Sequence, residues 1–88
     1  MGFRLEIEDV FSIMGRGTVV TGTVASGQVS VGDRLGLSRA DGSRVQVTVT
    51  GLEAFQRVMT TAGVGDHIGV LLDPLERDAV ASGDVLEG

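Results

Sequence analysis

Turn-forming residues interrupt this chain roughly every 6–12 residues, a spacing that leaves room for short strands but not for long helices. Glycine accounts for 14 of the 88 residues, and Asp41-Gly42 is the strongest short hairpin signal. Many short strands joined by tight turns pack as a closed or nearly closed antiparallel barrel, because closure leaves no exposed strand edge. The sequence therefore predicts an all-β fold of this type, formed by one small domain.

Alternation of apolar and polar residues locates the strands. The segment "FRLEIEDVF" over 3–11 predicts a single half-buried strand that carries its apolar residues on one face. A second strand is predicted at "TVVTGTVA" over 18–25, where Gly22 marks a bulge or a close approach of two backbones. The clearest strand is "RVQVTVTGL" over 44–52, whose alternate valines share one face. Two further strands are predicted at "HIGVLLD" and "DVLEG".

Helix signals are confined to one segment near the C-terminus. Pro74 opens the run "PLERDAVASG", and Gly83 closes it. Proline is tolerated at the start of a helix and glycine is favoured just past its end. We therefore predict one short helical turn there.

Composition excludes several classes of function. The formal net charge is −5, and seven arginines supply all the positive charge because lysine is absent. An acidic surface repels phosphate backbones, which excludes broad nonspecific nucleic-acid binding but leaves room for a small local nucleotide site. No cysteine is present, which excludes disulfides and thiol catalysis and suits a cytoplasmic location. No apolar run reaches the ~18 residues that a membrane span requires.

A glycine-rich stretch, "MGRGTVVTGTV" over 14–24, could in principle hold a phosphate. A phosphate-binding P-loop requires a lysine, and a dinucleotide-binding loop requires a following helix, which this valine- and threonine-rich segment does not favour. The stretch is better interpreted as a turn between two strands in which Gly15 and Gly17 adopt positive φ. Arg16 then stands exposed between them, where a guanidinium can meet a phosphate or a carboxylate.

Five other residues attract attention. Glu8 and Asp9 are neighbours, which point to opposite faces of a strand and so cannot converge on one bond as an acid–base pair. Phe11 and Phe55 are expected in the core, although an aromatic near a loop can also pack on a nucleobase. His67 is the only histidine and is expected partly exposed at a strand start, or as a base, a ligand or a pocket wall. With no cysteine beside it, no metal site is predicted.

Two long segments carry a resemblance to a known family. They are "IEDVFSIMGRGTVVTGTVASGQVSVGDRL" and "VTGLEAFQRVMTTAGVGDHIGVLLDPLERDAVASGDVL", and together they cover nearly the whole chain. The chain resembles the second domain of bacterial elongation factor Tu and its relatives among the translational GTPases. The resemblance implies one β-barrel of six to seven strands over 1–88, with no GTPase domain, no cofactor and no catalytic activity of its own.

The resemblance also implies site residues. The pocket for the esterified amino acid corresponds to Glu8, Asp9, Phe11, Thr21 and His67. The seat of the terminal adenosine corresponds to Ile13, Gly15, Val19, Glu53, Gln56 and Leu71. The loop that faces ribosomal RNA corresponds to Gly15, Arg16 and Gly17. Two positions depart from the family pattern, since His67 replaces an asparagine and Gln56 replaces a basic residue, and the lost charge is expected to weaken RNA binding.

Two functions follow from this resemblance. In the first, the barrel contributes to binding of the aminoacylated 3′ end of tRNA and of ribosomal RNA during GTP-dependent elongation, together with other domains. In the alternative, a stand-alone relative has lost tRNA recognition and acts as a protein-interaction module that docks a GTPase domain or another translation protein. A barrel from a selenocysteine-specific or initiation factor would share the fold, but Glu53-Ala54-Phe55 and "DPLERDAV" look closer to elongation factor Tu.

Overall fold

Ten β-strands and one 3₁₀ turn make up the computed structural model, which describes residues 2–54 and 57–88. The elements are β1 (Arg4–Glu6), β2 (Asp9–Ile13), β3 (Gly17–Ser26), β4 (Gln28–Ser30), β5 (Arg34–Ser38), β6 (Arg44–Ala54), β7 (Arg57–Met59), β8 (Thr61–Gly63), β9 (His67–Asp73), the 3₁₀ turn (Arg77–Ala79) and β10 (Val85–Glu87).

Six of these strands close into an antiparallel barrel. Their order is β1-β10-β5-β6-β9-β3, and β1 pairs back with β3 to complete the ring. Outside the ring, β2 pairs with β3, β7 pairs with β6, and β4 and β8 form a separate two-stranded sheet. The predicted all-β class and closed six- to seven-stranded barrel are therefore confirmed.

The N-terminal segment keeps its predicted alternation but not its predicted continuity. Phe3, Leu5 and Ile7 are buried, whereas the charged residues between them are exposed. The expectation of one strand over 3–11 is wrong, because the chain bends after Ile7 and divides into β1 and β2. β1 lies along the second half of β3, and β2 lies along its first half on the same edge.

Gly22 of β3 is the point where these backbones meet, as the sequence predicted. A Cβ atom added there would collide with the main-chain oxygen of Glu6 and would lie 2.8 Å from Cδ2 of Leu5. Because the first of these neighbours is backbone, it cannot rotate away as a side chain would. Glycine at this position therefore permits β1 to pack against β3 and close the barrel.

Aliphatic side chains fill the interior. Val47 and Val49 are buried and Val45 is partly buried, which confirms the valine face predicted for this strand. Phe11 is 51% exposed, so its predicted place in the core is wrong, and Phe55 lies outside the described residues. The largest fully buried side chains are Leu5, Ile7, Leu37, Leu52, Ile68 and Leu86.

The predicted helical turn is confirmed as a single 3₁₀ turn. It begins at Arg77, three residues after Pro74, so proline precedes this helix rather than opening it. The peptide bond between Asp73 and Pro74 is cis. In the part of the chain that the structure describes, no helix has the length and apolar character needed to cross a membrane.

The Asp41-Gly42 hairpin connects β5 to β6 as predicted. Gly42 has φ +91°, a left-handed conformation that glycine adopts without strain. The carboxylate of Asp41 accepts hydrogen bonds from the hydroxyl of Ser43 at 2.6 Å and from its main-chain N–H at 2.8 Å. Both hydrogen bonds favour the charged form, and the hydroxyl contributes most to lowering the pKa of Asp41 below its usual value.

We predict that Gly22→Ala destabilises the barrel by about 1–3 kcal/mol, because the added methyl group overpacks against backbone. The matched control is Gly63→Ala, since a Cβ there meets nothing within 4 Å and the glycine does not need a positive φ. The control is expected to change the free energy of unfolding by less than about 0.5 kcal/mol. Urea unfolding followed by circular dichroism measures both, and equal stability of the two variants would contradict this account of closure.

We predict that Ser43→Ala raises the pKa of Asp41 toward its usual value, because the hydroxyl donor is lost. In the native protein the folded-state pKa lies below the unfolded value. The Asp41 carboxylate therefore contributes stability above the unfolded pKa, and this contribution is lost as the pH falls through the folded-state pKa. A ¹³C NMR titration of the Asp41 carboxyl group in both proteins tests the shift, and identical titration curves would show that the hydroxyl has no effect.

Candidate functional site

The residues assigned by resemblance gather on one outward surface of the barrel. It is formed by side chains of β2, β3, β9 and the end of β6 that point away from the core, and we call it the outer face. Residues on neighbouring antiparallel strands stand directly opposite one another, about 4.8 Å apart. The strand register therefore shows which outward side chains are neighbours.

The first row of the outer face is apolar. Phe11 on β2 stands opposite Val19 on β3, Val19 opposite Leu71 on β9, and Leu71 opposite Gly51 on β6. The side chain of Leu71 lies against Gly51, since a Cβ at that glycine would be 3.3 Å from Cδ1 of Leu71. Because Gly51 has no side chain, the side chain of Leu71 can occupy the space above it.

The second row is polar. Asp9 stands opposite Thr21, Thr21 opposite Gly69, and Gly69 opposite Glu53. A Cβ at Gly69 would lie 3.4 Å from Cγ1 of Val19. Glycine in the middle of this row therefore leaves a depression between the threonine and the glutamate, with the valine side chain at its border.

Val19 and Leu71 are buried although they point outward. Each is only 5% exposed, yet neither belongs to the cluster of side chains that fills the barrel. Together they form a small apolar floor on the outer face. Because each residue is only 5% exposed, the apolar surface that they leave open on this face is small.

One ion pair connects the two sides of this floor. Nη2 of Arg16, in the turn between β2 and β3, lies 3.0 Å from Oε2 of Glu53 on β6. The side chains are 48% and 32% exposed, so the pair is partly screened by solvent. The family resemblance gives these two residues to different ligands, and no sequence pattern predicts their contact with each other.

A second polar contact borders the outer face. Nε2 of His67 lies 3.3 Å from Oε1 of Glu8, and both side chains are more than half exposed. His67 begins β9 and stands opposite Thr23 of β3. The predicted position of His67, partly exposed at a strand start, is confirmed.

The turn between β2 and β3 has the conformation predicted for it. Gly15 has φ +79° and Gly17 has φ +109°, while the N–H of Arg16 donates to the main-chain oxygen of Ile13 at 2.9 Å. Nothing lies within 4 Å of the position where a Cβ would stand on either glycine. This open backbone allows another molecule to approach the turn closely.

A shallow cavity adjoins His67. It has a volume of about 370 Å³ and is lined mainly by apolar surface, with Asp66 and Arg57 at its polar border. Val58, one of its lining residues, is 83% exposed. In the described part of the chain, no three His, Cys, Asp or Glu side chains gather closely enough to hold a metal ion.

The structure thus brings most of the predicted site residues together on the outer face, and their roles stay predictions. Gln56 lies outside the described residues. Sequence reasoning missed Gly51 and Gly69, which shape the outer face by lacking side chains. Position within the strand could have found Gly69, because it alternates with the buried Ile68 and Val70, whereas Gly51 follows an irregularity in the register that no local pattern announces.

The closed antiparallel ring defines the class of this protein, which is a small antiparallel β-barrel domain. Residues 17–87 match the family model described as Elongation factor Tu domain 2, and the chain belongs to this family of translation-factor barrels. The matched range contains Val19, Thr21, Glu53, His67 and Leu71. It begins at Gly17, so the part of the outer face that comes from β2 and from the turn before Gly17 lies outside it.

We predict that Leu71→Ala and Leu72→Ala differ in their effect on stability, because these neighbours point to opposite sides of β9. Leu72 packs in the barrel interior, so truncation leaves a closed cavity and costs about 3–5 kcal/mol. Truncation of Leu71 opens the outer face to solvent and costs only the transfer free energy, about 2 kcal/mol. Chemical denaturation of both variants gives the comparison, and equal losses would place Leu71 in a sealed core.

Proposed function

We propose that this barrel binds the aminoacylated 3′ end of tRNA through its outer face and contacts ribosomal RNA through the turn at Gly15–Gly17. The observation that carries the proposal is the convergence on one surface of residues from four strands, which the resemblance to the elongation factor assigns to this ligand. In this proposal the domain works in translation elongation, in the cytoplasm, as a non-catalytic partner of other domains.

The charge of the outer face supports an aminoacyl ligand. Three carboxylates lie on or beside this face, those of Glu8, Asp9 and Glu53. The groups that pair with two of them are the guanidinium of Arg16 and the imidazole of His67. Carboxylates attract the free α-ammonium group of an esterified amino acid and favour its charged form. The hydroxyl of Thr21 stands between them and donates to no other side chain in the described residues, which leaves it available to the ester or amino group.

The apolar floor supports a terminal nucleobase. Val19 and Leu71, each 5% exposed, offer a small aliphatic surface beside Glu53, whose carboxylate can accept a hydrogen bond from an exocyclic amine or a ribose hydroxyl. The depression at Gly69 lets such a ring approach the sheet. A purine is the larger apolar ring among the bases and gains most from this contact.

The turn supports a phosphate contact. Arg16 projects from an open backbone in which both flanking glycines leave space on the outside. A guanidinium donates two parallel hydrogen bonds to a phosphate, which makes arginine suited to the RNA backbone. A single such contact is consistent with the net charge of −5, which works against any extended RNA-binding surface.

The proposal is tested by ¹⁵N NMR titration with a short acceptor-end mimic of tRNA in aminoacylated and uncharged form. We expect amide shifts at residues 8–21, 53 and 67–71 that depend on the aminoacyl group. Thr21→Val removes the hydroxyl at constant shape and should weaken binding of the charged mimic about two- to tenfold. The matched control is Thr48→Val, on the part of β6 away from the outer face, and its affinity should equal that of the native protein.

A protein-interaction role is the second candidate, and exposed apolar side chains on one edge favour it. Phe11 on β2 is 51% exposed, and Met14, which follows the end of β2, is 99% exposed. Strand β2 pairs only with β3 among the described strands. An unpaired strand edge flanked by apolar side chains can accept a strand from a partner. An absence of shifts with both mimics, together with binding of a GTPase domain that Phe11→Ala abolishes, would favour this role over the first.

A further inference from the structure

The ion pair between Arg16 and Glu53 joins residues that the proposed function gives to two different ligands. We propose that Arg16 is a specificity-determining residue of the adenosine seat, because it occupies the carboxylate of Glu53 until a phosphate draws it away. The two RNA contacts are then coupled through this one pair. This inference rests on the proposed function of the outer face.

The geometry of the pair makes it a clasp across the floor. Arg16 lies in the turn beyond the end of β2, and Glu53 lies near the end of β6. The strands between them are β9 and β3, which carry Leu71 and Val19 outward. The 3.0 Å contact therefore lies on the same side of the sheet as Val19 and Leu71. Those two residues are almost fully buried.

The clasp sets up a competition. The carboxylate of Glu53 cannot hold the Arg16 guanidinium and a neutral adenosine with the same oxygen atoms. The guanidinium in turn cannot hold Glu53 and an RNA phosphate with the same N–H groups. The contact joins Nη2 of Arg16 to Oε2 of Glu53. A phosphate that takes the Nη2 N–H groups of Arg16 in a bidentate contact therefore frees Oε2 of Glu53, and an adenosine that takes Oε2 frees Arg16. Linkage requires that each ligand improve the affinity of the other by the same factor.

The factor is small because the pair is partly exposed. Ion pairs of this exposure alter equilibria by about two- to fivefold, and salt reduces their contribution. A neutral nucleoside should therefore bind more tightly as chloride concentration rises, which is opposite to the ordinary salt dependence of RNA binding. This reversed sign distinguishes a clasp from a simple electrostatic contact.

The other described ion pairs do not supply such a coupling. Glu87 is held by Arg4 and Arg44 and accepts a hydrogen bond from Ser38, and these residues lie on β1, β5, β6 and β10 rather than on the outer face. The contact of His67 with Glu8 joins two residues assigned to the same pocket. Only the pair of Arg16 with Glu53, among the described residues, links the turn to the floor.

The experiment uses adenosine as the neutral probe and inorganic phosphate as the anion, with the native protein, Arg16→Met and Arg34→Met compared by NMR. Methionine keeps most of the side-chain length without the charge. Arg34 lies on β5, away from the outer face, and serves as the matched control. We expect Arg16→Met to bind adenosine about two- to fivefold more tightly than the native protein, and we expect the adenosine affinity of Arg34→Met to be unchanged.

Phosphate provides a second comparison. At equal ionic strength, phosphate should increase the adenosine affinity of the native protein more than chloride does, and it should have no such effect in Arg16→Met.

A second measurement needs no nucleoside. Phosphate alone should shift the side-chain carboxyl ¹³C resonance of Glu53 in the native protein and in Arg34→Met, but not in Arg16→Met. If adenosine binds none of the proteins, the proposed function is wrong at the adenosine seat, while this shift still decides whether the clasp opens. The inference would be overturned if phosphate left the Glu53 carboxyl resonance of the native protein unchanged, or if Arg16→Met bound adenosine with native affinity.

Discussion

The whole barrel depends on one close approach between backbones, where the main-chain oxygen of Glu6 packs against Gly22 of β3. A side chain at that glycine would overpack against this oxygen and strain the contact between β1 and β3. Closure also makes β1 and β2 share one edge of β3, the first along its second half and the second along its first half. The outer face exists because β2 is displaced from the ring in this way, so that its outward residues extend the surface of β3.

Local sequence patterns predict this fold well, because short strands and turns each leave their own signal. Three such signals are each contained in a short stretch of sequence: the alternation from Phe3 to Ile7, the valines of β6 and the Asp41-Gly42 turn. The break between β1 and β2 leaves only a slight local signal, since Asp9 stands where the alternation calls for an apolar residue and Val10 packs inward instead. The partners that fix this boundary are distant in sequence, because the N–H of Glu8 donates to the main-chain oxygen of Thr21 on another strand.

For the candidate site, the sequence names residues but does not show which of them are neighbours. The resemblance to the elongation factor assigned individual residues, and the register then revealed which of them are neighbours. Phe11 illustrates the difference, since its apolar character predicted burial whereas its position on an added strand outside the ring leaves it half exposed. The pairing of Arg16 with Glu53 joins positions 37 residues apart, and only the order of the strands brings them together.

The pairing of β1 with β10 also determines how the barrel responds to tension. Arg4 stands opposite Glu87, and the N–H of Gly88 donates to the main-chain oxygen of Phe3, so the two ends of the described chain leave the barrel side by side. A force that separates these ends loads the hydrogen bonds between β1 and β10 one at a time, as in the opening of a zipper, rather than shearing them together. The pairing of β1 with β10 is thus the contact that such a force loads first. Pulling would open the ring there while β3, β6 and β9, the strands beneath the floor, stayed paired.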